Sequence, residues 1–324
     1  MKIRNGFILT ELIVVIASIA LLVAIFMPAQ GKVREIANRV VCGTNLKGFG
    51  NAVTVYANDF DGMYPCQGKE FDHTWGDLTD DWMDPKKDWS KEGGITVGAS
   101  MYLLVRLADV SPKAFVCPHS DQREFSGRNP QNLDIVELWD FGDFREGEGP
   151  ARCVSYSYHQ PYDPAGPKTG KAGRFRADDT RTATFAVMAD RNPWYDPKLS
   201  KAGMEFDLKK FEKWISPIFD HWNKPPTDTR RGSECQKIMV ANAQPHTREG
   251  QNVMFADGHS SFEKTSDVGI KYDNIYTCAD LENPQPIGWR RGIWTEKPDR
   301  RGEDETPATK EDSFLVNDFV EKVR

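Results

Sequence analysis

Outside residues 7–27 the chain has no apolar run of membrane length, which excludes a multi-span membrane protein and leaves room for one anchor only. Charge of neither sign dominates. Lys and Arg number 42 against 48 Asp and Glu, a net charge of −6, so nothing points to a nucleic-acid partner and none is expected. No His-Glu-x-x-His pair, nucleophile elbow or phosphate loop occurs, and the six histidines, at 73, 119, 159, 221, 246 and 259, are scattered; we expect no enzyme. The six cysteines, at 42, 66, 117, 153, 235 and 278, include no Cys-x-x-Cys spacing, which excludes a zinc ribbon or dithiol redox motif. No internal repeat is evident.

What is present is concentrated at the start. Lys2 and Arg4 precede Asn5-Gly6-Phe7-Ile8-Leu9-Thr10-Glu11-Leu12, and from Phe7 to Met27 only Thr10, Glu11 and Ser18 are polar. At the α-helical rise such a run spans roughly 30 Å, the thickness of a bilayer core. Glu11 is the anomaly, because a carboxylate in a membrane helix is costly and marks a function. A cleaved secretory signal would place small residues after the apolar core, whereas Met27-Pro28-Ala29-Gln30-Gly31 fits that pattern poorly and the small residue, Gly6, stands in front of it. The basic residues hold the N-terminus in the cytoplasm and put everything after the anchor on the far side.

This segment closely resembles that of type IV prepilins and type II secretion pseudopilins. The resemblance implies cleavage after Gly6 by a prepilin peptidase, N-methylation of Phe7, and Glu11 as fifth residue of the mature chain, where it pairs with the terminal ammonium of a neighbouring subunit; a buried charge needs such a partner. Pro28 matches the proline at which pilin helices bend or melt locally. The implied partners are the prepilin peptidase, other pilin or pseudopilin subunits and an inner-membrane assembly platform. The implied location is the inner membrane, single-pass, with the head in the periplasm or on an extracellular filament.

Beyond the anchor, Leu46, Phe49, Val53, Tyr56 and Phe60 recur at steps of three and four, one stripe along a helix that continues the first. Gly43, Gly48 and Gly50 weaken it by about 1 kcal/mol each relative to alanine. Cys42-Gly43-Thr44-Asn45-Leu46-Lys47 is similar to the Cys-x-x-Asn-Leu stretch of bacterial pilin-like proteins. The helix should stop in Asn58–Pro65, where turn formers accumulate. Asp59, Asp61 and Gly62 are also similar to part of a calcium loop, though no glutamate closes it at the expected distance; a terminating turn and a structural calcium both stay open, and no other cofactor is expected. Trp75, Trp82 and Trp89 either pack into the head or stack on sugar rings.

Ser100–Ala108 predicts a helix covering a sheet. Ala114–Cys117, Cys153–Tyr158 and Ala183–Met188 predict strands. In His246-Thr247-Arg248-Glu249-Gly250-Gln251-Asn252-Val253-Met254-Phe255-Ala256-Asp257-Gly258-His259, the pair Asp257-Gly258 predicts a tight hairpin turn, both residues tolerating positive φ. The stretch is similar to the C-terminal signature of a pilin-like group with a histidine, nine residues and Asp-Gly; here ten residues intervene. His246, Asp257 and His259 are open to three readings: structural hydrogen bonding, a structural ion, or a catalytic metal.

In an oxidising compartment the cysteines can form disulfides, and Cys117 with Cys153 is the first pair to consider. Residues 297–312 read as a flexible linker, and Phe314, Leu315, Phe319, Val320 and Val323 predict an amphipathic helix over 313–324.

The expected architecture is therefore α+β and pilin-like: a leader at 1–6, a transmembrane helix at 7–27 continued over 28–60, and a head at 61–296 built on a mainly antiparallel sheet. The expected function is a filament subunit of a type II secretion or type IV pilus-like assembly. The alternative is a periplasmic binding domain, glycan-binding for instance, or a hydrolase-like domain on a prepilin anchor.

Overall fold

In the computed structural model the described residues are 9–67, 97–127, 133–138, 140–141, 150–161, 175–193, 242–243, 245–270, 273–276, 278–279, 292–293, 307 and 309–317, without the side chains of 25–29, 151, 278–279 and 292–293. Gly6, Phe7, Trp75, Trp82 and Trp89 lie outside them. The fold is α+β. One helix, α1 (Leu9–Asp59), runs unbroken for 51 residues and continues through Pro28, where a bend or a melted turn was expected. Among the described residues no helix is long and apolar enough to cross a membrane; described side chains of the apolar stretch end at Ala24 and begin again at Gln30.

The two halves of α1 differ in surroundings. From Leu9 to Ala24 every described side chain is exposed, with Leu9 at 71% and Val14 at 67%. From Cys42 onward the stripe Cys42, Leu46, Phe49, Val53 and Tyr56 is buried. Each such apolar side chain contributes about 1.5–3 kcal/mol on burial, enough together to outweigh the glycines between them. Phe60 lies just beyond the helix, exposed, with its ring stacked on Tyr56 at 4.2 Å. The helix ends in a left-handed cap: Asp61 has φ 52° and Gly62 φ 77°, and the Gly62 N–H donates to the Ala57 carbonyl at 2.8 Å.

Against this helix lies a five-stranded sheet made of β1 (Tyr156–His159), β2 (Ala186–Asp190), β3 (Gln251–Phe255), β4 (Ser260–Glu263) and β7 (Leu315–Val316), ordered β4-β3-β2-β1-β7. Every neighbouring pair is antiparallel. Two further short strands, β5 (Cys278–Ala279) and β6 (Gly292–Ile293), pair separately. Strand alternation buries both faces of the larger sheet: Met254 and Val316 join the core beneath α1, while Val253, Phe255 and Leu315 pack on the other face with Ile275 and Tyr276.

Several local expectations are corrected. Residues 114–117 are not a strand, because Pro112 starts a 3-10 turn at Pro112–Phe115 and Phe115 is held by stacking on Phe49 at 4.4 Å. The helix expected near Ser100 is α2 (Val97–Leu107); it packs beside α1 and the segment 133–138 rather than over the sheet. Its Tyr102 donates a hydrogen bond to the Ile135 carbonyl at 2.6 Å and sets its ring edge-on to Phe141. A four-residue helix, α3 (Pro150–Cys153), precedes β1.

The C-terminal helix expected over 313–324 gives way to strand at its start. Leu315 and Val316 pair with His159 and Tyr158 of β1, because the open edge of β1 offers backbone partners that an isolated short helix would lack. Likewise the expected linker 297–312 is already packed into the head by Asp312, which is buried. Residues 318–324 lie outside the described ones.

Candidate functional site

The two sequence motifs of the body meet in space. The loop Ala256-Asp257-Gly258 joins β3 to β4, and only Gly258 takes positive φ, at 76°; the Phe255 N–H donates to the His259 carbonyl at 3.0 Å. The turn is thus three residues long, not the two-residue turn expected with both Asp257 and Gly258 left-handed. Its tip presses on α1. A Cβ added to Gly50 would stand 2.8 Å from the Gly258 carbonyl oxygen, and one on Gly43 would stand 3.1 Å from Asn252 Oδ1. Lys47 Nζ donates to the Gly258 carbonyl at 2.8 Å, and Ser260 Oγ to the Gly43 carbonyl at 2.9 Å. Two of the glycines that weaken α1 are therefore where the hairpin approaches it; Gly48 faces open space.

One helical turn earlier, α1 delivers Cys42 into a buried polar cluster. Its Sγ lies 2.6 Å from Sγ of Cys117. Cys117 Sγ is 3.8 Å from His246 Nε2, and that nitrogen is 3.4 Å from Asp190 Oδ2 at the end of β2. Cys42, Cys117, Asp190 and His246 are all fully buried. Asn252 completes the cluster, donating through its backbone N–H at 2.6 Å and its Nδ2 at 3.0 Å to Asp190 Oδ2. Beside it Asn45 Nδ2 donates to the Tyr156 hydroxyl at 3.1 Å, which gives the asparagine of the Cys-x-x-Asn-Leu stretch its structural role.

The electrostatics follow from burial and proximity. Burial opposes the charged imidazolium of His246, but hydrogen bonding to Asp190 and Cys117 outweighs it and lifts the pKa to about 9. A buried carboxylate and imidazolium in contact satisfy one another. The thiol of Cys117 is drawn down to about 6, first by the hydrogen bond from Cys42, against burial, and then by His246. Cys42 moves up, held protonated by Cys117 and by burial.

The segment carrying His246 is strained. His246, Thr247 and Arg248 have φ of 68°, 57° and 59°, a left-handed run that costs roughly 1–2 kcal/mol per residue. Contacts with α1 hold it there. Arg39 donates to both Glu35 and Glu249, its guanidinium lies 4.7 Å over the Phe262 ring, and Thr247 Oγ1 donates to Glu35 at 2.7 Å.

Cysteine, histidine and aspartate side by side suggest a nucleophilic triad, but the geometry differs from one. Cys117 and Asp190 both face Nε2 of His246, whereas a relay needs the carboxylate on the other ring nitrogen, and Nδ1 has no hydrogen-bond partner. All of these groups are fully buried. Cys42, Cys117 and His246 do have donor atoms within 4.8 Å of one another, the grouping among the described residues that could hold a metal. Two thiolates on one tetrahedral zinc, at ~2.3 Å each, stand about 3.7 Å apart; these sulfurs are closer, so the arrangement does not fit an ion between them.

The sequence-derived residues separate. His246 and Asn252 enter the buried cluster, whereas Asp257 and His259 sit at the exposed turn, their side chains hydrogen-bonded to one another, and Phe255 stacks on His259 at 4.6 Å. His246, Asp257 and His259 are not brought together for a metal. Asp59 and Asp61 lie at the exposed end of α1 and join no metal-binding group among the described residues. Glu11 lies in the first turn of α1. Asp190 escaped the sequence reading; its one signal was a carboxylate ending the apolar run Phe185–Ala189.

No protein-family model matches this chain, and neither does any curated protein or solved structure.

Proposed function

We propose that this chain is a pseudopilin-like structural subunit, anchored by a membrane-spanning first half of its long helix, processed by a prepilin peptidase between Gly6 and Phe7, and assembled into a type II secretion or type IV pilus-like filament. The observation that carries the reading is the contrast within α1: a free end, apolar around its circumference apart from Thr10, Glu11 and Ser18, grows from a half that is docked on a head by a buried stripe. Such a surface needs lipid or the same segment of other subunits to cover it. Glu11 supplies the register by pairing with a neighbour's methylated terminal amine, and the sequence run from Phe7 to Met27 is long enough to span the bilayer before extraction.

Intact mass and N-terminal sequencing of the protein from its native membrane test this. A mature chain beginning at N-methyl-Phe7 is the expected result. A chain still beginning at Met1, with the peptidase present, sinks the reading and returns the search for function to the head.

A further inference from the structure

The buried pair Cys42 and Cys117 stands apart from everything the filament reading uses. The residues are separated by 75 positions, and one sits on α1 while the other follows the Pro112–Phe115 turn of the head. Their sulfurs are in contact at 2.6 Å, with neither side chain exposed to solvent. Both backbones are held firmly. Cys42 lies within a continuous helix; the Cys117 N–H donates to Ser155 Oγ at 2.9 Å, and that hydroxyl lies 2.7 Å from Ser120 Oγ. Phe49, two turns further along α1, stacks on Phe115, two residues before Cys117, so the two segments are already in register when the sulfurs meet. A metal does not fit between atoms this close.

We propose that Cys42 and Cys117 are joined by a disulfide that ties the filament helix covalently to the head. The oxidant is a disulfide-bearing donor, a protein or a small molecule. The Cys117 thiolate attacks one sulfur of the donor, giving a mixed disulfide and releasing the first donor thiol. Cys42, losing its proton, then attacks Cys117 and releases the second. The two cysteines lose two protons and two electrons in all, and the donor disulfide becomes two thiols. Because both sulfurs are closed off once α1 has docked, the exchange belongs to the stage before the helix settles on the head.

The bond needs an oxidising compartment, as the proposed function also supplies, but its geometry does not depend on filament assembly. The test uses the full chain extracted from membranes directly into denaturant with N-ethylmaleimide, digested without reductant and read by mass spectrometry. The expected result is one linked peptide pair carrying Cys42 and Cys117, two hydrogens lighter than the sum of its parts and taking up label only after reduction. In thermal melts of unlabelled protein, reductant should lower Tm by roughly 10 °C, the scale for a crosslink closing a loop of this length, and the shift should vanish in a Cys42→Ser, Cys117→Ser chain. Label on both cysteines before reduction overturns the proposal, as does linkage of Cys117 to Cys153 or a stoichiometric zinc with the two thiols free. The same digest reports the N-terminus separately: methylated Phe7 with free thiols sinks the disulfide alone, and an unprocessed chain with the linked pair sinks the filament reading alone.

Discussion

Two buried histidines of the head respond to pH in opposite directions. Burial, the larger influence, pushes His159 down to about 3, despite its hydrogen bond with the Phe175 carbonyl. The folded state thus refuses a proton that the unfolded chain accepts near pH 6.5. Stability should fall as pH drops from about 6.5 towards 3, and thermal melts of a His159→Gln chain between pH 4 and 7 should show a flatter acid limb. His246 is the reverse case. With the thiols reduced, its folded pKa of about 9 exceeds the unfolded one, so its contribution is complete below about 6.5 and disappears as pH rises through 9. The groups facing it are Asp190 from β2, Cys117, Asn252 from β3 and the ring of His119 at 6.0 Å. Cys117, drawn down to about 6, works the other way over the same window, so melts of the reduced chain should stay nearly level between pH 7 and 9, and Cys117→Ser should uncover the alkaline loss that His246 contributes. No residue pattern announced these environments. His246 was legible as part of a motif, but its partner Asp190 comes from β2, and proximity across a separation of 56 positions leaves no local trace in a sequence.

At the scale of elements, the legible parts were those whose pattern repeats. The steps of three and four from Leu46 to Tyr56 mark the buried stripe of α1, and Asn252–Phe262 reads as a hairpin from alternation and a turn. The misread parts were short ones governed by their neighbours: Pro112–Phe115 is a turn locked by Phe49, and Leu315–Val316 is strand because β1 has a free edge. The glycines divide on the same basis. Gly48→Ala should stabilise the protein by up to about 1 kcal/mol, the ordinary helix preference, since nothing stands within 4 Å of the new methyl. Gly50→Ala should destabilise it despite the same preference, because the methyl meets the backbone of Gly258 at 2.8–3.2 Å. Denaturant midpoints of the two variants with unchanged m-values check the contrast. Leu315→Ala should cost about 2–5 kcal/mol as a cavity in the second core, whereas a docked surface helix would lose far less.

For the whole molecule, the division of α1 into an exposed half and a docked half separates the proposed assembly surface from folding. Glu11 is in the exposed part, far along the helix from the buried stripe. Glu11→Gln should therefore leave the head's thermal stability within about 0.5 kcal/mol of the parent, while filaments seen by electron microscopy or shearing assay are lost. Equal loss of folding and assembly would place Glu11 within the fold instead. Composition and the opening residues led to the expectation of an anchor; how the head grips α1 was not legible, because that grip is built from contacts between residues 35–50 and 246–260, a separation no periodicity spans.

The position of β7 sets a timetable. Its Leu315 and Val316 complete the outer edge of β1, yet they are synthesised long after β1, β2 and the β3–β4 hairpin have appeared. A chain whose N-terminus stays behind while the residues after the helix cross a membrane in order would carry an unfinished sheet until this strand arrived, with the Leu315 pocket open and the Tyr158 backbone unpaired on that side. Until then the intermediate would stay open to a chaperone or a protease, so only chains translated through residue 316 would close the sheet.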